Sequence, residues 1–168
     1  MPYTSSPPTF AAGEMPPTSK FNNIRDFMRA FTDPFTAYTP TLKDSTNATL
    51  ANWTCAGRYL QAGKLAIVQF DLLAGSSPGV GTGVWRLNLP VNARTGSPNP
   101  WHQGGFTVVD ASTGSLTSGR VSIDGAGYFG LWYQSALVNG SQTGLAAAAP
   151  ITWAAGDRIV GSFLYEAA

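Results

Sequence analysis

From Tyr38 to Ala168 the chain is written in short runs of alternating apolar and polar residues, cut every roughly 10–15 residues by Gly, Pro, Asn, Asp or Ser. A period of two belongs to a strand, whose side chains point to opposite faces in turn; a helix needs one near 3.6. The stretch TCAGRYLQAGKLAIVQFDLLAG reads as two strands about the turn Gln61-Ala62-Gly63-Lys64. In the second, Leu65, Ile67 and Gln69 alternate with Ala66, Val68 and Phe70. Its centre is apolar on both faces, as an inner strand requires. In GVWRLNLPV, Trp85, Leu87 and Leu89 face one way and Val84, Arg86 and Asn88 the other. GGFTVVDAS, SLTSGRVSI, GYFGLWYQS and DRIVGSFLYEA continue the series, with Ile159, Phe163 and Tyr165 on the core side of the last. Many short strands between turn signals predict a mainly β fold, an antiparallel β-sandwich of jelly-roll-like type.

The N-terminal part departs from this pattern. Residues 1–17 hold SSPPTF and GEMPPT, and proline fixes φ and removes backbone donors, so an extended arm is expected. FNNIRDFMRAF follows, with Thr18 or Ser19 as N-cap and Asp33-Pro34 as the stop. Phe21, Ile24, Met28 and Phe31 are spaced 3, 4 and 3 apart, and Phe27 widens the stripe. One short amphipathic α-helix is expected here, too short to be stable without burying its apolar face. Three sites for that face are open: its own sheet, copies from other subunits, or a larger assembly. The chain therefore divides into an arm and helix over 1–37 and a β domain over 38–168.

Chemistry is sparse in the sequence. The acids Glu14, Asp26, Asp33, Asp44, Asp71, Asp110, Asp124, Asp157 and Glu166 are scattered singly. Asp71, Asp110 and Asp157 are read as caps at strand ends or turns. A single His102 and a single Cys55 cannot make a His- or Cys-based zinc site, and no nucleophile elbow is present. The glycine-rich GSSPGVGTGVW lacks the lysine and following helix of a phosphate loop. No catalytic, cofactor or metal residue is expected. Ten basic residues against nine acidic ones, a net charge of +1 and no basic run speak against nucleic acid. No apolar run is long enough to cross a membrane as a helix, and no signal peptide is read at the N-terminus. The triplets Asn47-Ala48-Thr49, Asn52-Trp53-Thr54 and Asn139-Gly140-Ser141 are taken as chance. Trp53, Trp85, Trp132 and Trp153 are expected as core anchors. Trp101 and His102, in the loop PNPWHQGG, are the candidate surface contact, since exposed aromatics among amides suit sugars and protein partners.

Both ends of the chain carry a resemblance. PTFAAGEMPPTSKFNNIRDFMRAFTDPFTAYTPTL resembles the N-terminal segment of small virion proteins of tailed bacteriophages, especially those infecting actinobacteria. ITWAAGDRIVGSFLYEAA is similar to the closing strand of the same group, and GRYLQAGKLAIVQFDL and GVWRLNLPVNA fit its β domain. Such proteins are described as capsid decoration proteins, head fibres or minor tail proteins, commonly trimeric. The resemblance implies a non-enzymatic structural protein of the virion, assembled in the host cytoplasm. The assembly residues would be Phe10, Phe21, Ile24, Phe27, Met28, Phe31 and Phe35. The partners implied are further copies of the chain and capsid or tail proteins. A tail-associated adhesin for host-surface glycans is the alternative.

Overall fold

The computed structural model describes residues 34–94, 104–125, 127–134 and 142–168, together with Asn22, Arg25, Met28 and Arg29. Ten strands follow in chain order: β1 (Thr36–Tyr38), β2 (Leu42–Lys43), β3 (Trp53–Ala62), β4 (Leu65–Ala74), β5 (Arg86–Asn88), β6 (Gly104–Val109), β7 (Leu116–Ile123), β8 (Tyr128–Gln134), β9 (Gln142–Gly144) and β10 (Arg158–Glu166). All pairings are antiparallel, in the order β1-β3-β4-β10-β6-β7-β8-β5-β2, with β9 beside β5 on the same edge of β8. The mainly β, antiparallel reading therefore holds. Where the sequence suggested two packed sheets, the hydrogen bonds trace one continuous sheet, curled into a half-barrel.

The curl follows from chain length. Laid flat, nine strands about 4.8 Å apart would put β1 and β2 nearly 40 Å from each other. Yet Tyr38 ends β1 and Leu42 begins β2, and four peptide steps reach at most about 14 Å. The two ends of the strand path must therefore come round to meet. Contacts across that seam are present: Leu42 of β2 is buried in the core cluster against which Trp53 and Cys55 of β3 pack. Trp53 of β3 lies edge-on to Trp85, just before β5, with centroids 5.3 Å apart. Trp153 packs on both, at 5.4 and 4.7 Å. Each of the three indole N–H groups donates to a loop carbonyl, on Gly79, Val80 and Ala146 respectively.

Strand alternation fills the interior. Ala66, Val68, Phe70, Leu72 and Ala74 of β4 are buried, as are Trp85, Leu87 and Leu89 around β5 and Ile159, Phe163 and Tyr165 of β10. Phe129 of β8 reaches Phe163 at 4.3 Å and Phe70 at 5.4 Å, so opposite walls of the curl meet in one core. Glycine makes room for these rings. A Cβ on Gly161 would lie 2.5 Å from Phe70 Cζ and 2.8 Å from the Gly105 carbonyl oxygen. The β3–β4 hairpin turns on Gly63 and Lys64, with Gly63 at φ 60°, the left-handed geometry that two-residue hairpins favour. Asn47 and Asn52 also have positive φ, at 68° and 61°. Asparagine tolerates that region, which gives their positions a conformational reason independent of any modification.

Candidate functional site

The body is polar from end to end in a way the topology makes plain. The chain enters β1 at Thr36, opposite Tyr59 and close to the Ala62 end of β3. The C-terminus lies at the same end, where Ala167 N–H donates to the Lys64 carbonyl of the β3–β4 turn. Segment 95–103 is rooted there on both sides. Arg94 N–H donates to Glu166 O at 2.8 Å, and Gly104 pairs with Phe163, three residues away on β10. One end thus gathers the entry into β1, the C-terminus and the residues on either side of segment 95–103. The opposite end carries the 75–85 loop, the turn after β6 and the approach to β10.

The outer face of β1-β3-β4-β10-β6 holds a groove of about 800 Å³. Its polar lining is Arg58, Gln69, Asp71, Thr107 and Ser162, which the pairing brings side by side across four strands. Arg58 Nε donates to Gln69 Oε1 at 2.6 Å, and its guanidinium lies 5.3 Å from the centre of the Phe35 ring. Arg158 binds Asp71 through both carboxylate oxygens, Nε to Oδ1 at 2.7 Å. That hydrogen bond holds the Asp71 carboxyl below the usual carboxylate range. A planar cation, an amide and two hydroxyls beside an aromatic ring can bind hydroxylated or anionic groups. A second, smaller recess of about 220 Å³ lies by Arg120, Trp132 and Gln134.

The remaining acids are structural hubs. Asp44 is buried and accepts from the backbone N–H groups of Thr46, Ala48 and Thr82 and from the Thr46 and Thr82 hydroxyls. Those bonds, the Thr46 hydroxyl first, hold its carboxyl far below the ordinary range. Asp110 ties its own turn through the N–H groups of Ser112 and Thr113, and Asp157 accepts from Ala111 and Ala154. The capping role expected for Asp110 and Asp157 is what the bonds show. Asp71 departs from that expectation: it lies inside β4, opposite Val160, and its carboxylate is taken by Arg158 two residues before Val160 on β10 rather than by backbone donors. Asp44 was missed because an acid in KDSTN carries no signal beyond a turn. Among the described residues no group of three or more His, Cys, Asp or Glu could hold a metal ion.

Of the expected assembly residues, Phe10, Phe21, Ile24, Phe27 and Phe31 lie outside the described residues. Met28 has helical backbone and is 64% exposed. Phe35 is half-buried at the rim of the groove, against its own body, and the boundary drawn at 37/38 falls inside β1. Trp101 and His102 lie outside the described residues. Trp53, Trp85 and Trp153 anchor the core as expected. Trp132 does not: it is half-buried on the outer face, because Leu131 takes the core position of β8. Cys55 is a half-buried thiol whose pKa is raised by burial. No family model, curated protein or solved structure matches the chain.

Proposed function

We propose that the chain is a non-enzymatic structural protein of a tailed-bacteriophage particle, a capsid decoration or head-fibre protein displayed as a homotrimer. In this reading the segment that precedes β1, an extended arm and an amphipathic helix, attaches it to the particle. The curled sheet, its halves packed face to face like a sandwich, is the displayed body. The observation that carries the reading is the convergence at one end. The N-terminal segment, with its apolar seam of Phe21, Ile24, Phe27, Met28 and Phe31, joins the body there, and Met28 of that seam is exposed. The likeness of both chain termini to phage virion proteins supports it further. Replacing Phe21, Ile24 and Phe31 by Asp should abolish incorporation into particles while the β body stays folded. Unchanged incorporation would overturn the attachment role.

The groove on the outer face favours a second reading, a minor tail protein or adhesin that binds host-surface glycans. Arg58, Gln69, Thr107 and Ser162 offer hydrogen bonds around Phe35, the combination sugars require. Pull-down with host cell walls tests it. Binding lost in Arg58→Ala supports this reading, and absence of wall binding by the wild type contradicts it.

A further inference from the structure

Register sets one row of positions across six strands of the outer face. Arg58 pairs with Gln69, Gln69 with Ser162, Ser162 with Gly105, Gly105 with Arg120 and Arg120 with Trp132. The first four line the large groove and the last two the smaller recess, so the two depressions meet at the β6–β7 ladder. Thr107 of the groove and Ser118 of the recess pair across the same border. Gly105 leaves that border open: a Cβ there would meet only the Gly119 carbonyl oxygen, at 3.4 Å. The ends of the row repeat one pattern, an aromatic ring beside an arginine. Arg58 lies against the Phe35 ring, and Arg120 stands opposite Trp132. The Trp132 indole leans back along β8, where a Cβ on Gly130 would come within 2.8 Å of Nε1, and the half-exposed ring lines the recess. The charged side chains of the row are both cations, and Asp71 beside it is held by Arg158.

We propose that groove and recess form one site for a linear acidic glycan lying across the strands from Phe35 to Trp132. The inference rests on the adhesin reading and deepens it by naming the ligand's charge, shape and length. Two aromatic–arginine pairs, four strand spacings or about 19 Å apart, fit a ligand that repeats. A sugar ring stacks on each aromatic, a carboxylate or phosphate of the chain meets each arginine, and the Gln69 amide and Ser162 hydroxyl take the sugar hydroxyls between them. From Arg58 to Trp132 the row spans about 24 Å, the length of about five sugar rings. Two cations along that span are too few for a nucleic acid, which presents a phosphate at every nucleotide.

The test is an array of neutral and acidic oligosaccharides, from disaccharides to octasaccharides, with uronate, sialate and phosphodiester-linked series and single-stranded oligonucleotides beside them. It is probed with the full chain as wild type, Arg58→Ala, Trp132→Ala and Gly105→Val. The wild type should hold acidic hexasaccharides about tenfold more tightly than acidic trisaccharides of the same series, and neutral ones weakly at any length. Trp132→Ala and Gly105→Val should each remove that gain with length. Neither touches the core, since Gly105 faces open space and Trp132 the outer face, and far-ultraviolet circular dichroism checks that both stay folded. Acidic hexasaccharides held no better than trisaccharides, a gain with length that survives both variants, or retention of neutral glycans or oligonucleotides alone overturns the single acidic-glycan site. If any of these is found while host-wall binding is still lost in Arg58→Ala, the adhesin reading stands and this inference alone falls. A wild type that binds neither the array nor host walls rejects both.

Discussion

Trp85→Ala tests the packing that closes the sheet. Trp85 has no exposed surface and sits between Trp53 and Trp153. Truncating a buried aromatic to alanine costs about 3–5 kcal/mol in transfer and cavity terms. Two ring contacts are lost too, each worth about 0.5–1.5 kcal/mol beyond area. The Val80 carbonyl also loses its indole donor, about 1 kcal/mol more if it stays dry. Part of this is recovered as Trp53 and Trp153 relax, so the expected loss is about 5 kcal/mol. At about 2–4 °C per kcal/mol for a chain of this length, the melting temperature should fall by about 10–20 °C. Near-ultraviolet circular dichroism follows it, because coupled indoles give the strongest signal in that region. Trp132→Ala is the control: on the outer face it should cost about 1 kcal/mol. A Trp85→Ala loss below about 2 kcal/mol, or one no larger than that of Trp132→Ala, would refute the idea that the tryptophan cluster holds the seam.

Other consequences can be measured on the same protein. Asp157, 1% exposed, accepts two backbone N–H bonds from separate loops, so Asp157→Ala should destabilise by about 2–4 kcal/mol in urea unfolding. Burial raises the pKa of Tyr165 to about 12 and pushes that of Tyr38 higher still. Both values lie above the unfolded value of about 10. The stability these phenols contribute is therefore whole below about pH 10 and is lost as pH rises through their folded values. An absorbance titration at pH 11 should find at least two of the six tyrosines still neutral, and full ionisation there would contradict the burial. The Cys55 thiol, raised by burial, should react with a thiol reagent at least tenfold more slowly at pH 8 than in the urea-unfolded chain.

Strand-level features were legible because a period of two survives in each segment. Trp85, Leu87 and Leu89, and likewise Ile159, Phe163 and Tyr165, read as core from alternation alone and are core. Strand order was not legible. Placing β10 between β4 and β6 joins Arg158 to both Leu73 and Val109, and no local pattern encodes a partner so distant in sequence. The single curled sheet follows from that order together with the three-residue link from β1 to β2. The groove was missed for the same reason: Arg58, Gln69, Ser162 and Gly105 are unremarkable in their own segments and become a surface through register. Trp132 misled because the sequence GLWYQ permits either face, and the ladder with β7 decides it.

The account rests on the chain being a displayed part of a particle, with its N-terminal end as the point of attachment. The most direct measurement is electron microscopy of intact phage particles labelled with an antibody against residues 38–168. The account predicts label spread over the heads, lost in particles grown with the Phe21, Ile24 and Phe31 to Asp variant. Label at the tail tip would move the protein to the adhesin reading. Unlabelled particles, with the same antibody binding the purified full chain, would contradict the account.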